Sequence, residues 1–416
     1  MAGFAARTMP AIGCHDALTV RALVVGDTAL VVCDVLGLDA TTTMRIRQRA
    51  PLRDENLVVT ATHTHGAPGA MPNRLGGSVC HRFIASLEAG CNTAIERALA
   101  NVRPCRLTIG NGTEPDVARN RRHADGTVDT NLPVVRFVSE ADEQTVAILI
   151  SHACHPVVLS ADNRRYTADY PHFVREQLES ALPGAIAFHL TGAAGDVNSG
   201  HAAIDSLNLA AQSSRSFAEA RRIGRAVAEA ALATPLALSA SDKIAVYAEE
   251  IELDFCRRES RSFRELAVDW QSKLDRATAV ERTLLSIWIE WAERSASTPD
   301  DASPAPLACR ITLLLWGDLA IATFPGEIFA ATAEEVRWRL DGPLVTIVAG
   351  YADDVPGYIP PAEEFAHGGY EIDEAHRFYG LPASFAPDSV ARLLAGVERL
   401  ARRSSAIPPF VHTIGE

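Results

Sequence analysis

A predicted strand that ends in two histidines sets the strongest limit on the fold of this chain. Residues 57–65 read Leu-Val-Val-Thr-Ala-Thr-His-Thr-His, and Gly66-Ala67-Pro68-Gly69 follow at once. The β-branched run predicts a strand, and the Gly/Pro turn predicts that it stops at the histidines. Side chains at positions i and i+2 leave a strand on the same face. His63 and His65 would therefore project together, and the pair is a candidate start of a metal site.

Other apolar runs end in the same way. Residues 146–150 lead into Ser151-His152-Ala153-Cys154-His155-Pro156, and residues 186–190 lead into Thr191-Gly-Ala-Ala-Gly-Asp-Val-Asn198. The Gly-Ala-Ala-Gly stretch lacks the GxGxxG spacing of a dinucleotide site, so it indicates close backbone packing beside a site. Functional groups commonly lie where strand ends meet loops, because a rigid scaffold then positions them. We therefore expect the functional site at the strand ends.

Apolar strands alternate with long helical segments, which predicts an α/β fold with mixed β-sheets flanked by helices. The sheets should be mixed because two strand pairs, at residues 20–39 and 310–323, are joined by tight Gly-Asp turns. The strand from Thr28 is apolar on both faces, so it should be central to a covered sheet. The predicted helices cover residues 41–50, 80–99, 171–183, 210–232, 262–296, 328–340 and 388–404. The remaining predicted strands cover residues 105–109, 132–138, 243–255 and 344–349, and a loop is expected at 295–306.

Charge and cysteine content limit the partners of the chain. It has 39 Lys+Arg against 52 Asp+Glu, a net charge of −13. Nucleic-acid binding needs a concentrated basic face, so we expect no nucleic-acid partner. The eight cysteines have no CxxC or zinc-finger spacing, and they predict neither a thiolate metal site nor a disulfide framework. In the predicted helix at 262–296, Trp270, Trp288 and Trp291 indicate helix packing or a homodimer contact.

The sequence has no recognisable signal peptide and no apolar run of membrane-spanning length. We therefore expect no membrane span and a cytoplasmic protein as the chain is written, or a secreted or periplasmic one if the N-terminus is truncated. Asp34 lies within an apolar run, where a carboxylate must be paired or bound to a metal. Two interpretations stay open for it: hydrogen bonds to backbone amides at a strand end, or support of the nearby histidines.

Four candidate sources of ligands follow apolar strands. They are His63 with His65, His152 with His155, Glu327 in Phe324-Pro-Gly-Glu327, and a loop after residue 349 that contains several tyrosines. Catalytic zinc takes nitrogen and oxygen ligands and leaves a position open for water, whose pKa it lowers toward neutrality. A single strand-end histidine is commonly structural, but the joint occurrence of these groups predicts a hydrolytic metal site.

The sequence resembles the neutral/alkaline non-lysosomal ceramidases, in their N-terminal catalytic domain. The resemblance rests on blocks that occur in the family's order: Thr62-His63-Thr64-His65-Gly66-Ala67-Pro68-Gly69, Asn120-Arg121, Ala153-Cys154-His155-Pro156, Gly195-Asp196-Val197-Asn198, Phe324-Pro325-Gly326-Glu327, Gly350-Tyr351-Ala352, Gly357-Tyr358-Ile359-Pro360 and Gly369-Tyr370-Glu371. It implies one zinc ion per chain, held by His63, His155, Glu327 and Tyr358. It also implies that His65, Arg121 and Tyr370 bind the substrate amide and stabilise its oxyanion. A neighbouring group must protonate the amine leaving group, because an amide anion leaves poorly, and His65 is the candidate for this role.

The function that this resemblance implies is zinc-dependent hydrolysis of the amide bond of an N-acyl compound, ceramide-like or smaller, by zinc-activated water. Two alternatives stay open: a zinc-dependent esterase on the same scaffold, and a catalytically inactive binding protein. The chain has Gly66 where the family has Ser, and Pro156 where the family has Gly-Thr-Ser after the second zinc histidine. For the chain as written, we also expect no counterpart of the family's C-terminal immunoglobulin-like domain. We expect residues 1–416 to form a single ceramidase-like catalytic domain, and a truncated start stays open.

Overall fold

The computed structural model describes residues 1–75, 79–207, 209, 212–296, 304–340 and 342–405. The helices in this part are α1 (Ala40–Arg49), α2 (His81–Ala100), α3 (Tyr170–Ala181), α4 (Phe217–Ala233), α5 (Phe263–Lys273), α6 (Ala279–Ser295), α7 (Ala330–Arg339), α8 (Ala375–Phe378) and α9 (Ser389–Ser405). The strands are β1 (Gly13–Cys14), β2 (Val20–Val25), β3 (Thr28–Cys33), β4 (Leu57–Ala61), β5 (Cys105–Thr113), β6 (Arg119–Asn120), β7 (Asn131–Ser139), β8 (Thr145–His152), β9 (Arg165–Tyr166), β10 (Ile186–Thr191), β11 (Val197–Asn198), β12 (Ala237–Leu238), β13 (Ile244–Leu253), β14 (Phe255–Cys256), β15 (Leu307–Trp316), β16 (Leu319–Thr323), β17 (Glu327–Ile328), β18 (Val345–Ala349), β19 (Tyr358–Ile359) and β20 (Ser384–Phe385).

Three sheets organise the described part of the chain. They have the strand orders β10-β8-β7-β5-β12, β13-β15-β16-β18 and β2-β3-β4. Each sheet contains one parallel pair, namely β8 with β10, β16 with β18, and β3 with β4, and its other pairs are antiparallel. The predicted α/β fold with mixed sheets and flanking helices is therefore confirmed.

The core forms because the inner strands are apolar on both faces. In β3, Leu30 and Val32 pack into a cluster shared by all three sheets, whereas Ala29 and Val31 pack on the opposite side, in a cluster that includes residues of α2, α7 and α9. On the far side of the five-stranded sheet, α3 and α4 cover a further cluster. Alternation along a strand thus sends neighbouring side chains to different layers, as predicted for the strand from Thr28.

The three parallel pairs all end at the same edge of the fold. Isolated bridges join Thr60 to Ala352 and Gly192 to Ala349, so the carboxyl end of β4 and the loop after β10 both meet the segment at the end of β18. Loops that follow these strands are therefore brought together. Among the described residues, no helix has both the length and the apolar character needed to cross a membrane.

The helix predicted over 262–296 is wrong in one respect, because two helices occupy that segment. A 3₁₀ turn at Leu274–Arg276 separates α5 from α6, and a capping box formed by Thr278 and Glu281 starts α6. This local signal terminates the helical pattern that Ala, Leu and Glu favour over the whole segment. The tryptophans do serve helix packing: Trp270 and Trp291 are buried, and Trp291 Nε1 donates to the carbonyl of Leu381 at 2.7 Å.

Two other predicted helices start later than expected. The helix predicted from 328 begins at Ala330, because Glu327–Ile328 pairs with β19 as a short strand. The helix predicted from 210 begins at Phe217, after the capping residue Ser216, and residues 210–211 lie outside the described residues. Most of the loop predicted at 295–306 also lies outside them.

Candidate metal centre

His63 lies just beyond the end of β4, in a turn that redirects its side chain. Its φ of 63° is in the left-handed region, which non-glycine residues enter rarely and chiefly where the surroundings enforce it. The ring is buried, and Nδ1 lies 2.6 Å from the carbonyl oxygen of Leu36. A carbonyl can only accept, so Nδ1 carries the proton and donates. The lone pair of His63 is therefore on Nε2.

His155 is held in the same manner after β8. Its Nδ1 donates to the carbonyl of Ala194 and lies 3.2 Å from that of Val197. The loop that supplies these carbonyls packs closely, as the Gly-Ala-Ala-Gly stretch predicts: a Cβ on Gly195 would be 2.6 Å from the carbonyl oxygen of Glu327. The lone pair of His155 is thus also on Nε2.

Glu327 meets both imidazoles. Its Oε2 lies 2.8 Å from Nε2 of His155 and 3.4 Å from Nε2 of His63. One ligand atom from each of the three residues falls within 4.8 Å of the other two, and all three side chains are buried. The short strand β17 fixes this position, because Glu327 pairs there with Tyr358 of β19.

The donor chemistry of this group fits a metal ion. Two nitrogen lone pairs and a carboxylate oxygen face one another in a buried space, and these groups repel unless a cation lies among them. Two histidines and one glutamate form a donor set that zinc accepts, with a position left open. The backbone carbonyls that receive the Nδ1 protons orient the imidazoles, as metal-binding histidines require.

The protonation states agree with this interpretation. Burial lowers the pKa of His155 to about 4, with Arg121 adding to the shift and Glu327 opposing it, so this imidazole is neutral near pH 7. Burial by itself would raise the pKa of Glu327, but the neighbouring His63 and His155 hold it well below its ordinary value. An ionised carboxylate and a neutral imidazole are the forms that bind a metal.

Two tyrosines at the centre have no role assigned from the sequence. The hydroxyl of Tyr379 donates to Oε1 of Glu327, the oxygen that does not face the histidines. The ring of Tyr351 stacks on His63 at a centroid distance of 4.3 Å, and its hydroxyl is buried without a hydrogen-bond partner among the described residues. The concentration of tyrosines after residue 349 is the sequence signal that could have found both.

Tyr358 lies beside the three-residue group and is linked to Arg121. Its hydroxyl accepts a hydrogen bond from Nη2 of Arg121 at 2.9 Å, and its ring lies over that of His155 at 6.5 Å. Arg121 also donates from Nε to Glu371 at 2.9 Å and from Nη2 to the carbonyl of Gly195 at 3.0 Å. The buried guanidinium is thus fixed in place by three elements that surround the centre.

His65 is placed next to His63, with a ring centroid distance of 5.1 Å. Both of its ring nitrogens are buried and have no hydrogen-bond partner within the described part of the chain, although a buried polar atom ordinarily has one. Burial, together with the neighbouring His63 and His155, lowers the pKa of His65 well below its ordinary value. A neutral imidazole with both nitrogens unused is available to a bound molecule.

The segments around His65 leave no space for larger side chains. A Cβ on Gly3 would be 2.4 Å from Nδ1 of His65, and a Cβ on Gly66 would be 2.2 Å from the carbonyl oxygen of Thr167. Gly66, which stands where the resembled family has serine, therefore lies against the backbone of Thr167. A serine side chain at position 66 would collide with that backbone. The ring of Phe4 packs on His65 at 4.7 Å.

Tyr370 begins a π-helical turn, Tyr370–Glu374, and its ring lies 5.9 Å from that of Tyr358. Single π-helical turns occur frequently at functional sites. Burial raises the pKa of the Tyr370 hydroxyl, so it is a hydrogen-bond donor at neutral pH. All seven residues that the sequence proposes for the site, His63, His65, Arg121, His155, Glu327, Tyr358 and Tyr370, therefore lie in one region.

Three further buried polar residues lie beside segments of the centre, namely Asp34, His152 and Asp196. Asp34 forms a two-pronged ion pair with Arg175, with both distances 2.8 Å, and also accepts from Thr19. The hydrogen bond from the Thr19 backbone N–H fits the first of the two interpretations that the sequence leaves open. Thr62, the residue before His63, also donates to Asp34 at 3.3 Å, which fits the second. The ion pair with Arg175 belongs to neither interpretation. His152, one of the candidate ligand histidines, lies 3.1 Å from the hydroxyl of Tyr170 and outside the three-residue group.

Asp196 joins two parts of the centre. Its Oδ1 accepts from the backbone N–H of Ala330 at 2.8 Å, and its Oδ2 accepts from Asn120 at 2.8 Å. Burial raises its pKa to about 6, although these hydrogen bonds oppose the shift. Asp196 thus ties the start of α7 to the residue that precedes Arg121.

The fold and the site together define a class: an α/β protein with mixed sheets and a buried His/His/Glu group at its strand ends. Comparisons with known proteins narrow this class. Residues 1–185 match the family model described as neutral/alkaline non-lysosomal ceramidase, N-terminal. A search among curated proteins found no match.

Two solved structures share the fold. A ceramidase complexed with C2 is 16% identical and has a TM-score of 0.71, and the match covers 97% of this chain and 73% of that chain. The neutral ceramidase from Pseudomonas aeruginosa is 18% identical and has a TM-score of 0.66, with 90% of this chain and 66% of that chain covered. The chain thus spans about two-thirds to three-quarters of these structures. The predicted resemblance to the neutral/alkaline ceramidase family is confirmed.

Proposed function

We propose that this protein is a zinc-dependent amidohydrolase that cleaves the amide bond of an N-acyl compound, ceramide-like or smaller. One observation carries the proposal: Nε2 of His63 and of His155 both face Oε2 of Glu327 in a buried space, while each Nδ1 is committed to a backbone carbonyl. The family match and the shared fold support the reaction class.

The residues that would hold the zinc ion are His63, His155 and Glu327, with Tyr358 as the fourth ligand. Bound zinc in such a donor set supplies a water nucleophile at neutral pH and polarises a carbonyl group. Tyr379 restrains Glu327 through its second oxygen. Leu36 and Ala194 hold the imidazoles through their carbonyl oxygens, so the donor set is organised before any ligand arrives.

The remaining site residues act on the substrate. His65 has two unused ring nitrogens next to His63, and we assign it the proton transfer to the amine leaving group, because an amide anion leaves poorly. Arg121 and the hydroxyl of Tyr370 are the donors assigned to the oxyanion. The hydrogen bonds of Arg121 to Glu371 and to the carbonyl of Gly195 preorganise its guanidinium for this role.

A panel of substrates tests the proposal. Purified protein, stripped of metal and then reloaded with zinc, is assayed with an N-acyl sphingoid base, N-acyl amino acids and simple esters of the same acyl group. We expect amide cleavage that requires zinc and that falls at least 100-fold in His65→Ala. His81→Ala, at an exposed histidine at the start of α2, is the matched control and should keep full activity.

Two results would overturn the proposal. Cleavage of esters alone, with every amide untouched, would replace the amidohydrolase by a zinc-dependent esterase. Full zinc loading without turnover of any member of the panel would favour a catalytically inactive binding protein.

A further inference from the structure

A cavity lies at the end of the sheets opposite to the candidate metal centre. It has a volume of about 530 Å³ and is lined by the start of β5, β8, β10 and β13 and by the turns after β2 and β15. In β8, Val146 lines this cavity, whereas the strand ends at His152, three residues before His155 of the centre, and six residues of strand span about 20 Å. The cavity is thus separate from the candidate active site.

Buried apolar side chains form part of the cavity lining. Leu23, Phe137, Phe188 and Trp316 line the cavity, and all four are buried in the core that the three sheets share. The volume of about 530 Å³ falls within the range of small-molecule sites.

Apolar side chains are also exposed around its mouth. Val102, Ile186, Leu238 and Ile244 line the cavity and are 59%, 51%, 60% and 43% exposed. Large aliphatic side chains scattered singly on a surface are ordinary, but a group of them around one opening indicates a binding site. Each Å² of apolar surface that a ligand removes from water contributes about 25 cal/mol to the free energy of binding.

Charged residues at the same cavity have both signs. Arg103 and Arg106 line it together with Glu140 and Asp242, and Arg106 is paired with Glu143. This mixture does not select a headgroup of one charge. The chemistry that the site selects is therefore the apolar chain of its ligand.

We propose that this cavity binds the aliphatic chain of a single amphiphile, with the polar end of that molecule beside the charged lining residues. The assignment stands independently of the proposed hydrolase activity. It defines a lipid-chain site on the face of the molecule opposite to the metal centre.

Isothermal titration of the full chain with laurate, caprate and laurylamine, each below its critical micelle concentration, tests this inference. We expect one laurate per chain, caprate weaker by about 15-fold for its two missing methylenes, and laurylamine within a few-fold of laurate. Ile186→Asp and, independently, Leu238→Asp should each weaken laurate binding at least tenfold.

Two control variants separate this site from other sources of binding. Val268→Asp alters an exposed aliphatic residue on α5, away from the cavity, and should leave laurate binding unchanged. His63→Ala should also leave it unchanged, whereas laurate held at the metal centre would be lost. Ile186→Asp should retain whatever amide hydrolysis the wild type has, which shows that the variant is folded.

The inference is overturned if laurate does not bind, or if its binding is insensitive to both Ile186→Asp and Leu238→Asp. It is equally overturned if sedimentation shows a wild-type dimer that Ile186→Asp converts to a monomer, because the exposed aliphatic group would then be covered by a second copy of the chain.

Discussion

At the scale of single residues, Glu327 links the two histidines of the centre to Tyr379. Its Oε2 faces His63 and His155, and its Oε1 accepts from the hydroxyl of Tyr379. Supporting hydrogen bonds of this kind orient a ligating carboxylate and are worth 10- to 100-fold in metal affinity. The carboxylate therefore depends on a tyrosine that lies 52 residues further along the chain.

We predict that Tyr379→Phe lowers zinc affinity about 10- to 100-fold. The change removes the hydroxyl that donates to Oε1 of Glu327 and leaves the ring in place. Competition with a chromophoric chelator measures the affinity. Tyr247→Phe, at a buried tyrosine of β13, is the matched control and should bind zinc like the wild type; equal affinities for all three proteins would exclude a supporting role for Tyr379.

The sequence predicts some of these residues better than others, for physical reasons. The positions of His63 and His155 could be predicted because each follows an apolar strand, and a strand end fixes where the next side chains lie. The position of Tyr379 could not be predicted in this way. It follows the short helix α8, and its direction depends on how that helix packs on the sheets, which no local pattern specifies.

At the scale of elements, the centre depends on how closely backbone segments approach one another. The loop after β10 lies directly against β17, so that a Cβ on Gly195 would be 2.6 Å from the carbonyl oxygen of Glu327 and 2.9 Å from that of Ile328. Both neighbours are backbone atoms of the segment that presents the carboxylate. Glycine is required here by space and not by a left-handed conformation.

We predict that Gly195→Ala displaces β17, lowers zinc affinity about tenfold and destabilises the fold by about 1–3 kcal/mol, as overpacking does. Gly90→Ala is the control, because the nearest atom to its Cβ is Val20 Cγ2 at 3.8 Å and α2 should gain about 1 kcal/mol from the substitution. Chelator competition and urea denaturation measure the two effects. An alanine at 195 with wild-type affinity would show that this approach does not position Glu327.

Periodicity predicted the elements well where one pattern dominated. The hairpins β2–β3 and β15–β16 were expected because tight turns join their apolar strands. The division between α5 and α6 was missed, although Thr278 and Glu281 have the spacing of a capping box. The capping box starts a new helix within a segment whose composition favours helix throughout.

At the scale of the whole molecule, the two ends of the sheets differ in character. Polar residues of the candidate metal centre gather where the parallel strands end, and an apolar cavity lies where they begin. The sequence predicted the first end because its motifs follow strands. It gave no sign of the second, because the cavity is formed by residues from many separate segments that only the packing of three sheets brings together.

The pH dependence of stability provides a test of the packing of α8. Burial lowers the pKa of His376 to about 3, and the positive charge of the nearby Arg377 adds a smaller effect in the same direction. A histidine in the unfolded chain takes up its proton near pH 6.5. Between these values the unfolded chain binds more protons, so stability falls as pH falls, by about 1.4 kcal/mol per pH unit for this group.

Urea denaturation at pH 7 and pH 5 should therefore show a smaller loss of stability for His376→Gln than for the wild type, by about 2 kcal/mol. His81→Gln, at an exposed histidine, should lose as much as the wild type. The same loss in all three proteins would mean that His376 titrates normally in the folded state.

The most direct test of the central claim is the zinc content of protein purified without added metal, measured for the wild type, His63→Ala and His65→Ala. His63 belongs to the three-residue group whose ligand atoms lie within 4.8 Å of one another, whereas His65 lies beside it with both ring nitrogens unused. We predict near-stoichiometric zinc in the wild type and in His65→Ala, with catalysis impaired in the latter, and an empty site in His63→Ala. Equal zinc loss from both variants, or undiminished zinc in His63→Ala, would contradict the assignment.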